Sequence, residues 1–169
     1  LLQQVNETAE GQYPFAVILS CIDSRTSAEL VFDQGLGDIF SVRIAGNFVN
    51  EDILGSMEFA CKVAGSKLVV VLGHSNCGAV KGACDDVKMG NLTALLAKIR
   101  PAVERTTTSG ERNSGNAGFV QSVADANVEI AMEEIRHRSP ILKEMEDKGD
   151  IDIIGGMYDV GSGEVVFHH

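Results

Sequence analysis

Two short segments of the 169-residue sequence combine residue types that can bind a metal ion. SCIDSRT, at positions 20–26, contains Cys21, Asp23 and Arg25, and GHSNCGAV, at positions 73–80, contains His74 and Cys77. Two cysteines and one histidine supply three ligands suited to Zn²⁺, and a carboxylate or water can fill the fourth tetrahedral position. Asp23 is the candidate carboxylate. Arg25 can hold it through two parallel hydrogen bonds and so compete with the metal for it.

Each of these segments follows an apolar run that is typical of a strand. Residues 15–20 and 67–73 are rich in β-branched side chains, as expected for strands covered on both faces of a parallel sheet. Weaker strand patterns occupy residues 38–45 and 151–158, and residues 164–167 follow a turn. The sequence therefore predicts a mostly parallel central sheet with a short edge strand at the C-terminus.

Helical patterns alternate with these strands. The segment 50–65 begins with Asn50 as a helix cap, followed by an acidic first turn, and ends at Gly65. Cys77 stands near the start of a short helix over 76–83, where backbone amides and the helix dipole favour a thiolate. The other predicted helices span residues 91–103, 118–139 and 140–149, and a polar loop spans residues 106–118. This alternation predicts an α/β fold in which helices flank the sheet.

The predicted topology also gives the position of the site. In open parallel sheets, ligands bind beyond the carboxyl ends of the strands, where the strand order reverses. Cys21 and His74 each directly follow a predicted strand, although they are 53 positions apart. We therefore expect them to lie side by side.

Composition excludes several classes of function. The length and the hydrophobic content of 44% predict one globular domain over residues 1–169. The net charge of −10 would repel nucleic acid and anionic membrane surfaces, and the apolar runs are too short to span a bilayer. Four cysteines are few for a disulfide scaffold, which favours reduced thiols. The first residues lack the pattern of a signal peptide, so a cytoplasmic location is expected.

The motifs resemble those of the β-class carbonic anhydrases. The resemblance rests on CIDSR and HSNC, and it extends over AELVFDQGLGDIFSVRIAGN and the closing GMYDVGSGEV. It implies that Cys21, His74 and Cys77 bind Zn²⁺, with Asp23 either as the fourth ligand or released to Arg25. It also implies reversible hydration of CO₂ to bicarbonate and a proton by a zinc-bound hydroxide.

The same resemblance implies roles for residues that bind substrate. Gln12, nine residues before the first zinc cysteine, would donate a hydrogen bond to a substrate oxygen. Phe40 and Ala45 would line an apolar CO₂ pocket, and Phe59 would reach into it from a partner subunit. Ile18 stands where the bicarbonate-inhibited subgroup has Trp, so the chain resembles the freely active subgroup.

Assembly into a homodimer or a higher homo-oligomer is expected on two grounds. The helix over residues 50–65 is apolar around more of its circumference than one sheet face can cover, which favours a partner subunit. Members of the family also begin with helices that wrap the neighbouring subunit. Most of this N-terminal arm is missing from residues 1–169.

Other interpretations of the same residues remain open at this stage. A non-catalytic structural zinc site would keep Asp23 permanently on the metal. A hydrolase acting on carbonyl sulfide or carbon disulfide could use the same scaffold. Cys21 could be a buried thiol or could form a redox disulfide with Cys77. Cys61 and Cys84 are interpreted as core or helix-face residues rather than ligands.

Overall fold

The computed structural model describes all 169 residues as five strands and eight α-helices, one of which is extended by a π-helical turn. The strands are β1 (Ala16–Ser20), β2 (Ile39–Arg43), β3 (Leu68–His74), β4 (Asp152–Tyr158) and β5 (Val165–His168). The helices are α1 (Leu2–Glu7), α2 (Ala28–Val31), α3 (Glu51–Glu58), α4 (Gly78–Cys84), α5 (Gly90–Ala97), α6 (Arg100–Arg105), α7 (Ala117–Arg138) and α8 (Pro140–Asp147). The π-helical turn, Phe59–Val63, continues directly from α3.

The strands form a single sheet in the order β2-β1-β3-β4-β5. The first four are parallel to one another, and β5 pairs antiparallel with β4. The predicted α/β class, the mostly parallel sheet with flanking helices and the C-terminal edge strand are therefore confirmed.

The apolar residues of the sheet pack against helices on both faces. On one face, buried side chains of β1, β3 and β4 contact α3, the π-helical turn, α7 and α8. On the opposite face, Ile18 and Leu72 pack in a smaller cluster with Ala28 of the short helix α2. A third cluster joins α4, α5, α6 and the first half of α7, and it contains Cys21 and Cys77. The long helix α7 thus connects the main core to the region of the predicted metal ligands.

Some helices differ from the sequence-based expectation. The predicted helix over 91–103 is divided into α5 and α6, with Pro101 in the first turn of α6. Proline has no backbone N–H and its ring clashes with the preceding turn, so one continuous helix cannot pass through this position. The short helices α1 and α2 were not predicted, and neither was the π-helical form of the last turn after α3.

The polar loop between α6 and α7 is held by specific hydrogen bonds. Arg112 donates to the carbonyl oxygens of Val103 and Thr106, each at 2.7 Å. Ser114 donates its backbone N–H and its hydroxyl to the carboxylate of Asp85, at 2.7 and 2.6 Å. The loop is thereby fixed to the end of α6 and to the residue that follows α4.

The strand order creates a crevice between β1 and β3. The chain leaves β1 toward β2 on one side and leaves β3 toward β4 on the other, so the order reverses between these two strands. In their register, Leu19 lies opposite Val71, which brings the residues after Ser20 to the level of the end of β3. The fold therefore places the segment after β1 beside His74, at the position where α/β sheets bind ligands.

None of the helices combines the length and the hydropathy that crossing a bilayer requires. The longest helix, α7, has 22 residues, but charged side chains such as Glu129, Glu133 and Arg136 interrupt it.

Removal of the predicted cap of α3 should destabilise the fold. The Asn50 side chain accepts a hydrogen bond from the backbone N–H of Ile53 at 2.9 Å. We expect Asn50→Ala to lower the free energy of unfolding by about 1 kcal/mol, because that amide loses its partner. Urea denaturation at a fixed protein concentration measures the change. Asn50→Asp is the matched control, since it retains the acceptor, and equal losses in both variants would contradict the capping role.

Candidate metal centre

Three side chains from two neighbouring strand ends converge in the crevice. Cys21 directly follows β1, His74 is the last residue of β3, and Cys77 precedes the first residue of α4. Their sulfur and nitrogen atoms all lie within 4.8 Å of one another. The three residues are almost fully buried, with exposed fractions of 4%, 1% and 1%. The structure thus brings together the three ligands predicted from the sequence.

The imidazole of His74 is held in the form that a metal requires. Its Nδ1 lies 2.8 Å from the carbonyl oxygen of Ser75. A carbonyl oxygen can only accept a hydrogen bond, so Nδ1 carries the proton and Nε2 has a free lone pair. Nε2 is buried and has no hydrogen-bond partner in the chain. Such an orphaned acceptor is costly unless a ligand occupies the space in front of it.

The two thiols of the site have opposite pKa shifts. The pKa of Cys21 is lowered, first because the Cys77 thiol donates a hydrogen bond to it and further by the amide of Gly46; burial opposes the shift. The pKa of Cys77 is raised because it donates that hydrogen bond and because it is buried. Cys21 is therefore the thiol of the pair that loses its proton more readily. By contrast, burial alone raises the pKa of Cys61 to about 11, as expected for a core thiol.

Asp23 and Arg25 form a bidentate pair at the rim of this cluster. Arg25 Nε lies 2.9 Å from Asp23 Oδ1, and Nη2 lies 2.7 Å from Oδ2. These hydrogen bonds hold the pKa of Asp23 well below its usual range, although burial acts against the shift. Asp23 Oδ2 is also 3.9 Å from Nε2 of His74, so the carboxylate is close to the three candidate ligands while both of its oxygens are bound to Arg25.

An apolar cavity of about 260 Å³ opens beside the cluster. Cys21 and Asp23 form part of its wall, and Ala45 is among the other lining residues, together with Ile22, Gly78, Ala79, Gly82, Leu92 and Leu96. Ala45, assigned to a CO₂ pocket by family resemblance, is therefore adjacent to the candidate metal ligands. The cavity can hold a small apolar molecule next to Asp23.

The remaining predicted substrate residues lie elsewhere in the single chain. The rings of Phe40 and Phe59 pack edge to face, with their centroids 6.0 Å apart, and line a separate open groove. Gln12 is exposed in the segment between α1 and β1. None of these three residues lines the cavity beside Cys21. Their roles in substrate binding stay predictions.

Supporting residues of the site were missed in the sequence. The backbone N–H of Gly46 donates to the sulfur of Cys21 at 3.4 Å, and the carbonyl of Gly46 accepts from Asn127 Nδ2 at 2.6 Å. Gly46 has φ +78°, a conformation that glycine adopts readily. Asn127, a buried asparagine within the apolar pattern of α7, was the one residue whose type could have indicated this contact. Ser75, which sets the tautomer of His74, acts through its backbone and left no signal in its residue type.

The residues present fit a bound zinc ion. Two sulfurs and one imidazole nitrogen are preferred zinc ligands, and the buried Nε2 of His74 lacks any other partner. Three protein ligands with a fourth position open to water are typical of catalytic rather than structural zinc sites. The donor chemistry therefore supports a metal centre of the catalytic kind.

Comparison with known proteins decides the family. A family model described as carbonic anhydrase matches residues 16–165. "Carbonic anhydrase 2" of Mycobacterium tuberculosis is 38% identical over 161 residues, which cover 94% of this chain and 76% of that protein. The chain belongs to the β-class carbonic anhydrase family. Membership of this family confirms the predicted activity, the reversible hydration of CO₂.

Solved β-carbonic anhydrases share the fold. The enzyme CafA of the fungal pathogen Aspergillus fumigatus is 28% identical, with a TM-score of 0.87 over 99% of this chain and 81% of that chain. A tetrameric β-carbonic anhydrase from Sordaria macrospora is 22% identical, with a TM-score of 0.82 over 98% of this chain and 89% of that chain. At this identity the second similarity supports the fold alone. Together with the donor atoms above, the family assignment makes Cys21, His74 and Cys77 the best candidates for metal binding.

Replacing Cys77 should weaken metal binding. We expect Cys77→Ser to reduce zinc affinity by more than about 100-fold, because a soft thiolate ligand is lost. This exceeds the roughly 10- to 100-fold loss that follows removal of a residue that only supports a ligand. Zinc per chain after dialysis against a chelator measures the loss. Cys84→Ser is the matched control, since Cys84 is a buried cysteine at the other end of α4. Wild-type zinc content in the Cys77 variant would contradict the ligand assignment.

Proposed function

We propose that the chain hydrates CO₂ with a zinc ion held by Cys21, His74 and Cys77. The observation that carries this proposal is the buried, unpartnered Nε2 of His74, a residue whose ligand atom and the two cysteine sulfurs all lie within 4.8 Å of one another. Zinc bound at such a site lowers the pKa of a coordinated water from 15.7 to about 7 and so supplies a nucleophile at neutral pH. The protein ligands hold the ion and leave one position for that water.

Asp23 and Arg25 prepare this fourth position. Because Arg25 binds both oxygens of the Asp23 carboxylate, it keeps the carboxylate from becoming a fourth ligand. With zinc bound, Asp23 would accept a hydrogen bond from the coordinated water and orient it toward the carbon of CO₂. Arg25 Nη2 also lies 3.4 Å from the carbonyl oxygen of Asn76, which links the pair to the turn that carries Cys77. A structural zinc site would instead use Asp23 as a closing ligand.

The apolar cavity beside Asp23 is the proposed location of CO₂. CO₂ has no net charge and no hydrogen to donate, so small apolar walls such as Ala45 suit it, and one polar group suffices to orient its oxygens. We assign that polar role to Gln12 on the basis of the family resemblance. Phe40 and Phe59 are proposed to complete the pocket when a second chain is present.

Assembly into at least a homodimer forms part of the proposal. The π-helical turn leaves two large apolar side chains uncovered, Phe59 with 48% and Val63 with 73% of its surface exposed. Phe59 and Phe40 line an open groove of about 660 Å³. A second copy of the chain would cover this groove, in line with the tetramers described for the Sordaria macrospora enzymes. A cytoplasmic location stays a prediction from the sequence.

A stopped-flow CO₂ hydration assay with zinc quantification tests the proposed function. We expect turnover to be lost when the metal is removed and to return in proportion to the zinc that is restored. A parallel assay of sulfide release from carbonyl sulfide or carbon disulfide compares the alternative substrates, and release of sulfide without hydration of CO₂ would favour the hydrolase. Full zinc content without turnover at any pH would instead favour the structural site.

Loss of the Arg25 guanidinium should abolish most activity without loss of zinc. In Arg25→Ala the freed carboxylate of Asp23 can bind the metal and exclude water, so we expect CO₂ hydration to fall by about 100-fold at full zinc content. Arg105→Ala is the matched control, because Arg105 forms a similar bidentate pair with Glu133 between α6 and α7 and contacts none of the candidate ligands. An Arg25 variant with full zinc and near wild-type hydration would refute this role, as expected for a mere surface ion pair.

A charge on the exposed apolar turn should disrupt the proposed dimer. We expect Phe59→Asp to shift the sedimentation coefficient at micromolar concentration toward that of a monomer, because a carboxylate would have to be desolvated in the interface. Ile141→Asp is the control, since Ile141 has a similar exposed fraction of 42% and lies in α8, outside the groove. A fully active wild-type monomer would contradict the proposed assembly.

A further inference from the structure

The turn that carries Cys21 and Asp23 is held by an arginine from the neighbouring strand. Arg43 is the last residue of β2 and lies opposite Ser20 in the register of β1 and β2. Its Nε donates to the carbonyl oxygen of Cys21 at 2.8 Å, and its Nη2 donates to the carbonyl oxygen of Asp23 at 2.6 Å. One guanidinium group thus holds both ends of the three-residue segment 21–23.

Side-chain packing fixes mainly the first residue of this segment, because Cys21 is buried in the third core cluster. Ile22, between the two bonded carbonyls, is 61% exposed, and residues 21–23 belong to no helix or strand. Thr26 supplies the other bonds to these carbonyls. Its amide and its hydroxyl each lie 3.0 Å from the Asp23 carbonyl oxygen, and its hydroxyl lies 3.3 Å from that of Cys21. The two bonds from Arg43 are the shortest of this set and the ones that a charge strengthens.

The sequence distance between each donor and Asp23 determines whether its hydrogen bond anchors the turn to the rest of the fold. Arg25 and Thr26 are two and three residues from Asp23, so their bonds shape the turn locally and move with it. Arg25 reaches outside the turn through a longer contact of 3.4 Å to the carbonyl oxygen of Asn76. Arg43 belongs to the sheet and lies 20 positions from Asp23. Its two bonds therefore anchor the whole turn, with the Asp23–Arg25 pair, to the end of β2.

We infer that Arg43 is a positioning residue for CO₂ hydration, which acts by anchoring the turn that presents Asp23 to the metal centre. This inference rests on the proposed function of Asp23. Arg43 touches neither the candidate ligand atoms nor the apolar cavity. The role requires an arginine, because two N–H groups in one plane reach two carbonyls at once, whereas lysine offers a single charged point.

Substitution of Arg43 should lower turnover while the metal stays bound. We expect Arg43→Ala to reduce kcat between about 10- and 100-fold, as small misplacements of catalytic groups do, with little change in KM. Arg43→Lys should remain impaired, and a small guanidinium compound added to Arg43→Ala should restore part of kcat. Arg112→Ala is the matched control, because Arg112 also donates to two backbone carbonyls but lies in the loop between α6 and α7. It should have wild-type kcat.

Two further measurements do not depend on turnover. Hydrogen–deuterium exchange should be faster at the amides of Arg25 and Thr26 in Arg43→Ala than in the wild type, and unchanged in Arg112→Ala. In the cobalt-substituted protein, the visible spectrum reports the geometry around the metal. Arg43→Ala should alter it if Asp23 moves toward or away from the metal.

The outcomes separate this inference from the proposed function. Wild-type kcat, exchange and spectrum in Arg43→Ala would overturn the positioning role. Loss of zinc in proportion to kcat would also overturn it, because Arg43 would then act on metal retention rather than on Asp23. A wild-type chain that binds zinc but does not hydrate CO₂ would overturn the proposed function. The exchange comparison would still show whether Arg43 holds the turn.

Discussion

Two sulfur atoms and one imidazole nitrogen lie within 4.8 Å of one another, in a region where their residues are almost fully buried. Two adjacent thiolates in such surroundings would repel each other strongly, because little water is present to screen them. A proton shared between the sulfurs relieves the repulsion, and so does a bound cation. The fold brings the three donors to this point from the ends of two neighbouring strands and from the residue before α4.

The supporting contacts come from parts of the chain that are far apart in sequence. Asn127, in the middle of α7, holds the carbonyl of Gly46, and the amide of Gly46 in turn faces the sulfur of Cys21. The carbonyl of Ser75 fixes the tautomer of His74. Hydrogen bonds that support metal ligands from behind orient the ligands and tune the metal. Through Asn127, α7 would therefore contribute to the chemistry of the site although it carries none of the candidate ligands.

Much of the fold and of the centre could be predicted because the relevant signals are local. Apolar runs that end in Cys21 and His74 predict two buried parallel strands, and the carboxyl ends of such strands lie at one edge of the sheet. Asn50 predicted its helix cap in the same way, through the short distance between a side chain and the next turn. The division of the predicted helix into α5 and α6 also has a local signal in the sequence, which is Pro101 itself.

The parts that could not be predicted depend on distant pairing. Periodicity does not reveal that β2 lies beside β1, and without that register Arg43 is an ordinary polar residue at a strand end. Gly46 and Ser75 act through backbone atoms, which every residue possesses. Family resemblance suggested Phe40, Phe59 and Gln12, and in the single chain none of them lines the cavity beside Cys21.

The ties of the loop between α6 and α7 bear on how the protein would respond to proteases. A stretch rich in Ser, Thr and Gly usually offers an accessible site for cleavage. Here Arg112 binds the loop to the end of α6, and Ser114 binds it to Asp85, the residue that follows α4. Cleavage requires local opening of these bonds. Even after a cut, α7 would stay packed in both core clusters, so the two fragments would remain associated as a nicked protein that retains the candidate metal ligands.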